Sequence, residues 1–378
     1  MIASAVHRRT FLHLAAATPL LGRESTLPEY RTVSPYPPHP GVGMPHPFRA
    51  QVVRVHADSA IDAATEKVDA GKVREMLSTG MRSLTGESSD SAAWSRFISP
   101  KDVVGIKVNC SGAPRMMSSP EVVAGIVSNL TQIGVPADQI YIYERFADQM
   151  RSVGYEKHVP AQVHITAAED GRGSILGYDP HTYVEVDFFG EEDTRSNLTR
   201  LVSEKFTKII NVPNMKEHQA AGVTGCLKNI GYGDFSNVAR SHRYSKTNTY
   251  SFIGTLASVE PLRSRTVLHV MDGLRGVWHA GPFSYSKKFR FYPKQLMFGT
   301  DPVAMDRLLI DVIEAKRKAE GAPSIFDRSP DRIKADDTPT KDPNYNHFVR
   351  EPGHVEYAST LGLGEYDIQR IHLKAIEL

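Results

Sequence analysis

The chain has 378 residues, with 45 Lys and Arg against 43 Asp and Glu and a formal net charge of +2. That near balance, with no strongly basic segment, excludes the electrostatic footprint of a nucleic-acid binder. No run of about 18 apolar residues occurs, so no membrane-spanning helix is expected in the mature chain. The length suits one large α/β domain or two smaller ones. The only cysteines, Cys110 and Cys226, fall short of the four thiolates an iron–sulfur cluster takes, so no such cluster is expected. A zinc site built mainly of cysteine is excluded too, although His, Asp and Cys together remain open.

Residues 1–26 contain Arg8 and Arg9 followed by Thr10, Phe11, Leu12 and a short Ala/Leu-rich stretch. This pattern reads as a twin-arginine export signal and predicts a periplasmic or otherwise exported protein. Residues 27–49 are rich in proline and read as an extended arm or linker outside the core. Residues 50–378 are expected to form a single α/β domain, with two lobes allowed. Within it, 60–84 has helical apolar spacing, with Gly71 expected to break or kink it, and 92–98 is a shorter helical piece. VVGIKV at 103–108 is an apolar strand, followed by Asn109, Cys110, Ser111 and Gly112. Ser118 or Ser119 then caps a helix that starts with Pro120 and Glu121 and stops at Gly134. IYIYE at 140–144 is the next strand, and this strand–helix–strand order implies a parallel sheet. The loop after Asn109 lacks a dinucleotide fingerprint, and no phosphate-binding P-loop sequence occurs.

Further strands are expected at 162–166 and 183–189, and a helix at 198–204. Arg240, His242 and Arg243 form a polar group that either lies over the site or is a solvated loop, the loop being the favoured reading. After a helix at 250–259, TVLHVM at 266–271 is a buried strand with Asp272 and Gly273 at its end. Trp278 and His279 lie in a Gly/Pro loop suited to shaping a pocket or packing a hairpin. A strand at 295–298 leads to Asp301, a natural N-cap, and to Pro302 at the first helical position. Residues 322–350 read as a surface excursion, with His347 and His354 nearby. A helix at 356–361 and a strand at 370–376 close the chain.

The densest chemistry lies in 206–233, FTKIINVPNMKEHQAAGVTGCLKNIGYG. A buried strand ends at Pro213. Lys216, His218, Thr224, Lys228 and Asn229 then follow, interleaved with glycines that permit close backbone approach. Such a cluster after a strand fits the carboxyl edge of an α/β sheet, where ligands bind. The stretch resembles the signature of the family called domain of unknown function 362, in Pro213, Lys216, His218, Thr224, Leu227, Lys228, Asn229 and Gly231. VGIKVN at 104–109 and GTDPVAMD at 299–306 fit the same resemblance, which runs from about Val104 to the C-terminus. It implies an α/β fold and a site, not a reaction. Some relatives carry a ferredoxin-like cluster segment for which this chain lacks the cysteines. The family is also similar in broad fold to lactate racemases, whose nickel-bearing nucleotide cofactor is held by Lys and His.

The expected architecture is therefore α/β, a mostly parallel central sheet flanked by helices, with the site at the carboxyl ends of the strands. His218, Lys216, Lys228 and Asn229 are the expected catalytic residues. Lys107, Asn109, Thr224, Asp272 and Asp301 are the expected substrate- or cofactor-binding residues. His218 suits general acid/base work because the ordinary imidazole titrates near neutrality. A desolvated Lys suits a base or a Schiff-base nucleophile, and Asn229 a donor to an oxyanion. Cys110 and Cys226 would pack, pair or bind a soft metal. The leading reading is an exported enzyme acting on a small anionic molecule by acid–base or redox chemistry, an oxidoreductase or isomerase. A metal- or nucleotide-cofactor enzyme and a non-catalytic binding protein of the cell envelope stand as alternatives.

Overall fold

The computed structural model describes residues 27–169, 177–242, 248–284, 286–333, 342–346 and 352–378. The export motif at Arg8 and Arg9, together with Arg243 and His347, lies outside the described residues. The first half comprises β1 (Arg31–Val33), β2 (Gln51–His56), α1 (Ala70–Thr85), α2 (Asp90–Ser95), β3 (Val104–Lys107), α3 (Pro120–Gln132), β4 (Ile140–Phe146), α4 (Ala147–Arg151) and β5 (His164–Glu169). It continues with β6 (Tyr178–Glu185), β7 (Arg195–Thr199), β8 (Lys208–Asn211), β9 (Asn214–His218), β10 (Gly222–Thr224), α5 (Cys226–Gly231), α6 (Thr249–Ala257) and α7 (Leu262–Arg265). The chain ends with β11 (Thr266–Val277), β12 (Arg290–Phe291), β13 (Gln295–Gly299), α8 (Pro302–Ala319), α9 (His354–Thr360) and β14 (His372–Glu377).

The fold is α/β. An eleven-stranded sheet has the spine order β14-β2-β13-β11-β8-β3-β4-β5, with β9 alongside β11 and with β10 and β12 added at its margin. Every neighbouring pair along the spine is parallel except those made by β13, which runs against both β2 and β11. The central strands are short apolar runs buried on both faces, as parallel sheets require. Val104, Ile106, Ile209 and Ile210 are fully enclosed, each contributing about 1.5–3 kcal/mol of burial. One core, built from α1, α2 and α3, covers one face. The other face is covered by α5, α6, α8 and α9.

Several expectations move. The helix read at 60–84 begins only at Ala70, because Asp62 accepts from the backbone of Ala64 and Thr65 and turns the chain, and Glu66 takes a left-handed φ of 60°. Asp69 then caps the helix through the Lys72 N–H. Gly71 sits in the first turn and kinks nothing, since the first N–H groups of a helix have no internal partner to lose. The segment read as a helix at 198–204 is the end of β7 followed by a π-helical turn, Leu201–Lys205. The strand read at 183–189 falls earlier, in β6, which joins β1 and β7 in a separate three-stranded sheet. The Pro-rich arm thus supplies a strand, and its Met44 is buried in the core. Ile325 and Asn346, within the expected surface excursion, are buried as well.

Candidate functional site

The site grows from one strand edge. Lys107 ends β3 and Asn211 ends β8, in register with one another. Glu144 lies in β4 one residue past the Lys107 partner Tyr143. Beyond Asn211 the chain bends at Pro213 and resumes as β9, staying on β11 through the Asp272 N–H to Pro213 carbonyl bond of 2.8 Å. β9 and β10 then form a hairpin, pairing Lys216 with Thr224 and His218 with Gly222. The polar motif is therefore carried on strand, hairpin and the short helix α5. Gly225 is required here: a Cβ would lie 2.0 Å from the Asp306 carboxylate, which accepts from the N–H groups of Cys226 (2.6 Å) and Leu227 (2.9 Å). Gly233 is required too, because a Cβ would meet the Lys107 side chain at 2.4 Å.

These elements enclose a cavity of about 520 Å³, within the usual range for small-molecule sites. His218, Gln219, Thr224, Lys228, Asn229 and Tyr232 form one wall. Asn109, Ser111, Glu144, Arg145 and Phe146 form another, and Val238, Ala239, His242 and 281–283 close the rest.

A buried polar network backs the cavity. Lys107 Nζ donates to Glu144 Oε1 (2.6 Å) and to the Val108 carbonyl (2.8 Å). Glu144 Oε2 accepts from the Cys110 N–H (3.0 Å). Lys216 Nζ donates to Asn109 Oδ1 and to Ser111 Oγ (3.0 Å). Asn109 Nδ2 donates to Asn229 Oδ1 (2.9 Å), Asn229 Nδ2 to Asn211 Oδ1 (2.7 Å), and Asn211 Nδ2 to His269 Nδ1 (3.0 Å). Three amides thus lock the β3, β8 and α5 termini together.

His218 Nδ1 accepts from the backbone N–H groups of Ala220 (3.1 Å) and Ala221 (3.2 Å). Those partners assign the proton to Nε2. Burial, with Lys228, His242 and Lys216 adding repulsion, pushes the imidazole well below its usual range. His218 is therefore a neutral ring presenting a fixed N–H donor. That arrangement favours a hydrogen-bond donor, because Nδ1 already accepts two N–H bonds and protonating it would bury a cation among cations.

His242 packs 5.2 Å from the His218 ring and 5.2 Å from the Tyr232 ring, and burial, then Lys228, pushes it down to about 3. Lys228 Nζ lies 4.7 Å from the Tyr232 ring centroid. Burial, then Lys216 and Arg145, brings the Lys228 amine down to about 7. Lys216 also falls to about 7, chiefly through burial. Polar atoms without a hydrogen-bond partner among the described residues collect here: Thr224 Oγ1, Gln219 Nε2 and His242 Nε2.

Of the expected site residues, His218, Lys228, Asn229, Asn109 and Thr224 line one cavity. Lys107 and Lys216 are fully buried and stand behind its wall. Asp272 does not join them: β11 runs on to Val277, so Asp272 lies within the strand, where it accepts from Ser119 N–H (2.7 Å) at the start of α3 and from Leu274 N–H (3.0 Å). Asp301 lies at the opposite sheet edge, because β13 is antiparallel. There its carboxylate accepts from the N–H groups of Ala304 (2.8 Å), Ala50 (2.9 Å) and Glu365 (3.0 Å).

The sequence reading missed Glu144, Arg145, Asn211 and Tyr232, and of its two readings for His242 the structure supports the one over the site. Glu144 had a signal, a carboxylate closing the apolar run IYIY, and so had Asn211, closing KII. The favoured reading placed His242 and Arg240 in a solvated loop, whereas Arg240 is 3% exposed and donates to the Val186 (2.5 Å) and Thr194 (2.9 Å) carbonyls. Trp278 and His279 pack with Phe289 in a small separate cluster; the cavity takes Gly281, Pro282 and Phe283 from that loop instead. Cys110 and Cys226 are buried free thiols.

The residues do not fit a metal held by Lys and His. Among the described residues no group of three His, Cys, Asp or Glu side chains is placed to hold a metal. A ligating imidazole normally donates its second nitrogen's proton outward, whereas His218 Nδ1 receives two N–H bonds.

Residues 104–311 match the model of the family described as "Domain of unknown function (DUF362)". No curated protein matches the chain. Among solved structures, a crystal structure of a Thermotoga maritima protein matches with a TM-score of 0.30 and 11% identity, covering 56% of this chain and 51% of that one. The match thus spans about half of that structure's length, and at that TM-score it carries no argument. No helix among the described residues is long and apolar enough to cross a membrane.

Proposed function

The chain belongs to the domain of unknown function 362 family, and from that premise and the cavity we propose that it is an enzyme acting on a small anionic molecule by acid–base chemistry, exported through its twin-arginine motif. The observation that carries this reading is the Lys228 amine. It lines the cavity, has no hydrogen-bond acceptor among the described residues, and is brought by burial to about 7. An amine so placed exchanges protons at neutral pH. The His218 Nε2–H supplies a fixed donor for a developing negative charge, in the manner of a preorganised oxyanion site. Arg145 supplies donors for an anion: its Nε is ion-paired with Glu169 (2.9 Å) and contacts the Tyr178 hydroxyl (3.2 Å), and its terminal nitrogens carry no hydrogen bond among the described residues.

The perturbed Lys228 and His218 favour an enzyme over a passive binding protein, in which no titratable group need be tuned. The test is calorimetric titration of the purified protein with small carboxylates and phosphates. Binding should release or take up protons near pH 7 in buffers of differing ionisation enthalpy, and the Lys228→Met variant should lose that proton exchange. If no small anion binds, the reading fails.

A further inference from the structure

We propose that Lys228 is a Schiff-base nucleophile and that the cavity takes a small 2-oxo acid, whose carbonyl carbon bonds to Lys228 Nζ. The proposal rests on the reading of the cavity as an anion site and names its substrate class. The three lysines of this sheet edge are differently employed. Lys107 is committed to Glu144 and the Val108 carbonyl, and Lys216 to Asn109 and Ser111. Lys228 has no acceptor among the described residues and meets the face of Tyr232. That ring is itself fixed by the 2.6 Å contact between its hydroxyl and Ser241 Oγ. A held amine with no acceptor among the described residues is placed for nucleophilic attack once it gives up its proton.

The remaining groups match the other parts of a 2-oxo acid. The carboxylate suits the Arg145 guanidinium, which lies over the Phe146 ring at 4.7 Å and offers paired donors in one plane. The ketone oxygen suits the His218 Nε2–H, a neutral donor that polarises a carbonyl without surrendering its proton. Thr224 Oγ1 and Gln219 Nε2, buried and without a partner among the described residues, line the same wall and gain partners when a polar ligand enters. The side chain of the acid meets Val238, Ala239 and Phe283.

In the step itself, the Nζ lone pair attacks the carbonyl carbon and the C–O π pair moves to oxygen. Nitrogen loses a proton, oxygen gains one, and a carbinolamine results. A second proton from solvent lets oxygen leave as water while the nitrogen lone pair forms the C=N bond. Amine, ketone and one proton thus give a protonated imine and water, with no redox partner. Burial lowers the Lys228 amine from its ordinary value, so more of it is unprotonated at neutral pH than of a solvent-exposed lysine.

The test incubates the full chain with pyruvate or phenylpyruvate and sodium cyanoborohydride, then reads intact mass and peptide maps. Binding is measured in parallel by calorimetry without hydride. One adduct is expected, on the peptide bearing Lys228, formed at least about tenfold faster than on any other lysine, as an activated amine should. Lys228→Arg, checked for folding by circular dichroism, should lose it. If the 2-oxo acids bind but Lys228 is not modified, or another lysine reacts equally fast, the imine is overturned and the anion site stands. If lactate or phosphate binds and neither 2-oxo acid does, the substrate class is overturned. If no anion binds, both readings fall.

Discussion

Replacing Lys228 with Met should stabilise the protein in mild acid and not in base. The folded-state amine is brought to about 7 from 10.5 by burial first and by Lys216 and Arg145 next. The sign follows from linkage. Below about 7 both folded and unfolded chains carry the proton, so the full cost of a buried ammonium is present. Between about 7 and 10.5 the unfolded chain holds a proton that the folded one has released, so stability rises with pH across that window. A fall from 10.5 to about 7 corresponds to about 5 kcal/mol at full effect. Lys228 is only partly buried, its amine facing an open cavity, which screens this to about 2–3 kcal/mol. Met fills nearly the same volume, at a repacking cost below about 1.5 kcal/mol. The variant should therefore be about 1–2 kcal/mol more stable than the parent at about pH 6, with the advantage gone by about pH 10. Urea denaturation of both proteins across that range reads the difference. Lys216 contributes a slope of the same sign to both, so the comparison subtracts it apart from their mutual coupling. A variant destabilised equally at both ends would show that Lys228 is held by a favourable contact, and the account of a desolvated amine would fail.

Four further outcomes follow from the same geometry. The His218 ring should remain the neutral, Nε2-protonated tautomer from about pH 5 to 8, read by nitrogen-15 NMR; titration near the ordinary imidazole value would refute the assignment. Lys216→Met should move the pH dependence of reductive trapping at Lys228 upward by roughly half to one pH unit, because a neighbouring cation that depresses Lys228 is gone; no movement would remove Lys216 from that role. Asp301→Ala should cost about 2–5 kcal/mol, by leaving three backbone N–H groups without an acceptor, and leave anion affinity unchanged; lost affinity in a fully stable variant would return Asp301 to the site. Replacing Arg8 and Arg9 together by Lys should stop export, read by cell fractionation, since the twin-arginine pathway reads that pair; unchanged export would remove the motif.

What could be read in advance was set by local pattern. The apolar runs VVGIKV, IYIYE and KII announce buried strands, and the helix between the first two makes them parallel, so a mostly parallel sheet with polar groups at one edge was legible. The direction of β13 was not, because its apolar run QLMF fits either direction. That one reversal carries Asp301 to the far edge, where the capping role its position also suggested accounts for it fully. Asp272 moved for a related reason: polar residues following TVLHVM look like a strand end, but β12 and β9 extend the pairing of β11 past them. His242 and Arg240 read as loop because both are polar and close together. Nothing local shows that the Val186 and Thr194 carbonyls, at the two ends of the β6–β7 connection, lie within reach of the guanidinium.

The roles of the three lysines were hidden in the same way. Each follows or ends a buried strand or opens a helix, and in sequence each is an amine near glycines. Their difference is made entirely by partners remote in the chain: Glu144 lies 37 residues from Lys107, and Asn109 lies 107 residues from Lys216. Lys107 gains a buried carboxylate, a pairing that costs several kcal/mol if broken from one side. Lys216 gains neutral oxygens, which orient it without neutralising it. Lys228, on the first turn of α5, gains an aromatic face and an open cavity. His218 is decided by still closer geometry, the hairpin turn at 219–221 that aims two N–H groups back at Nδ1. Residue type gives the menu of chemistry at this edge. Under the proposed function, the tautomer of one ring, and the absence of an acceptor for one amine among the described residues, select which group would donate a hydrogen bond and which would exchange the proton.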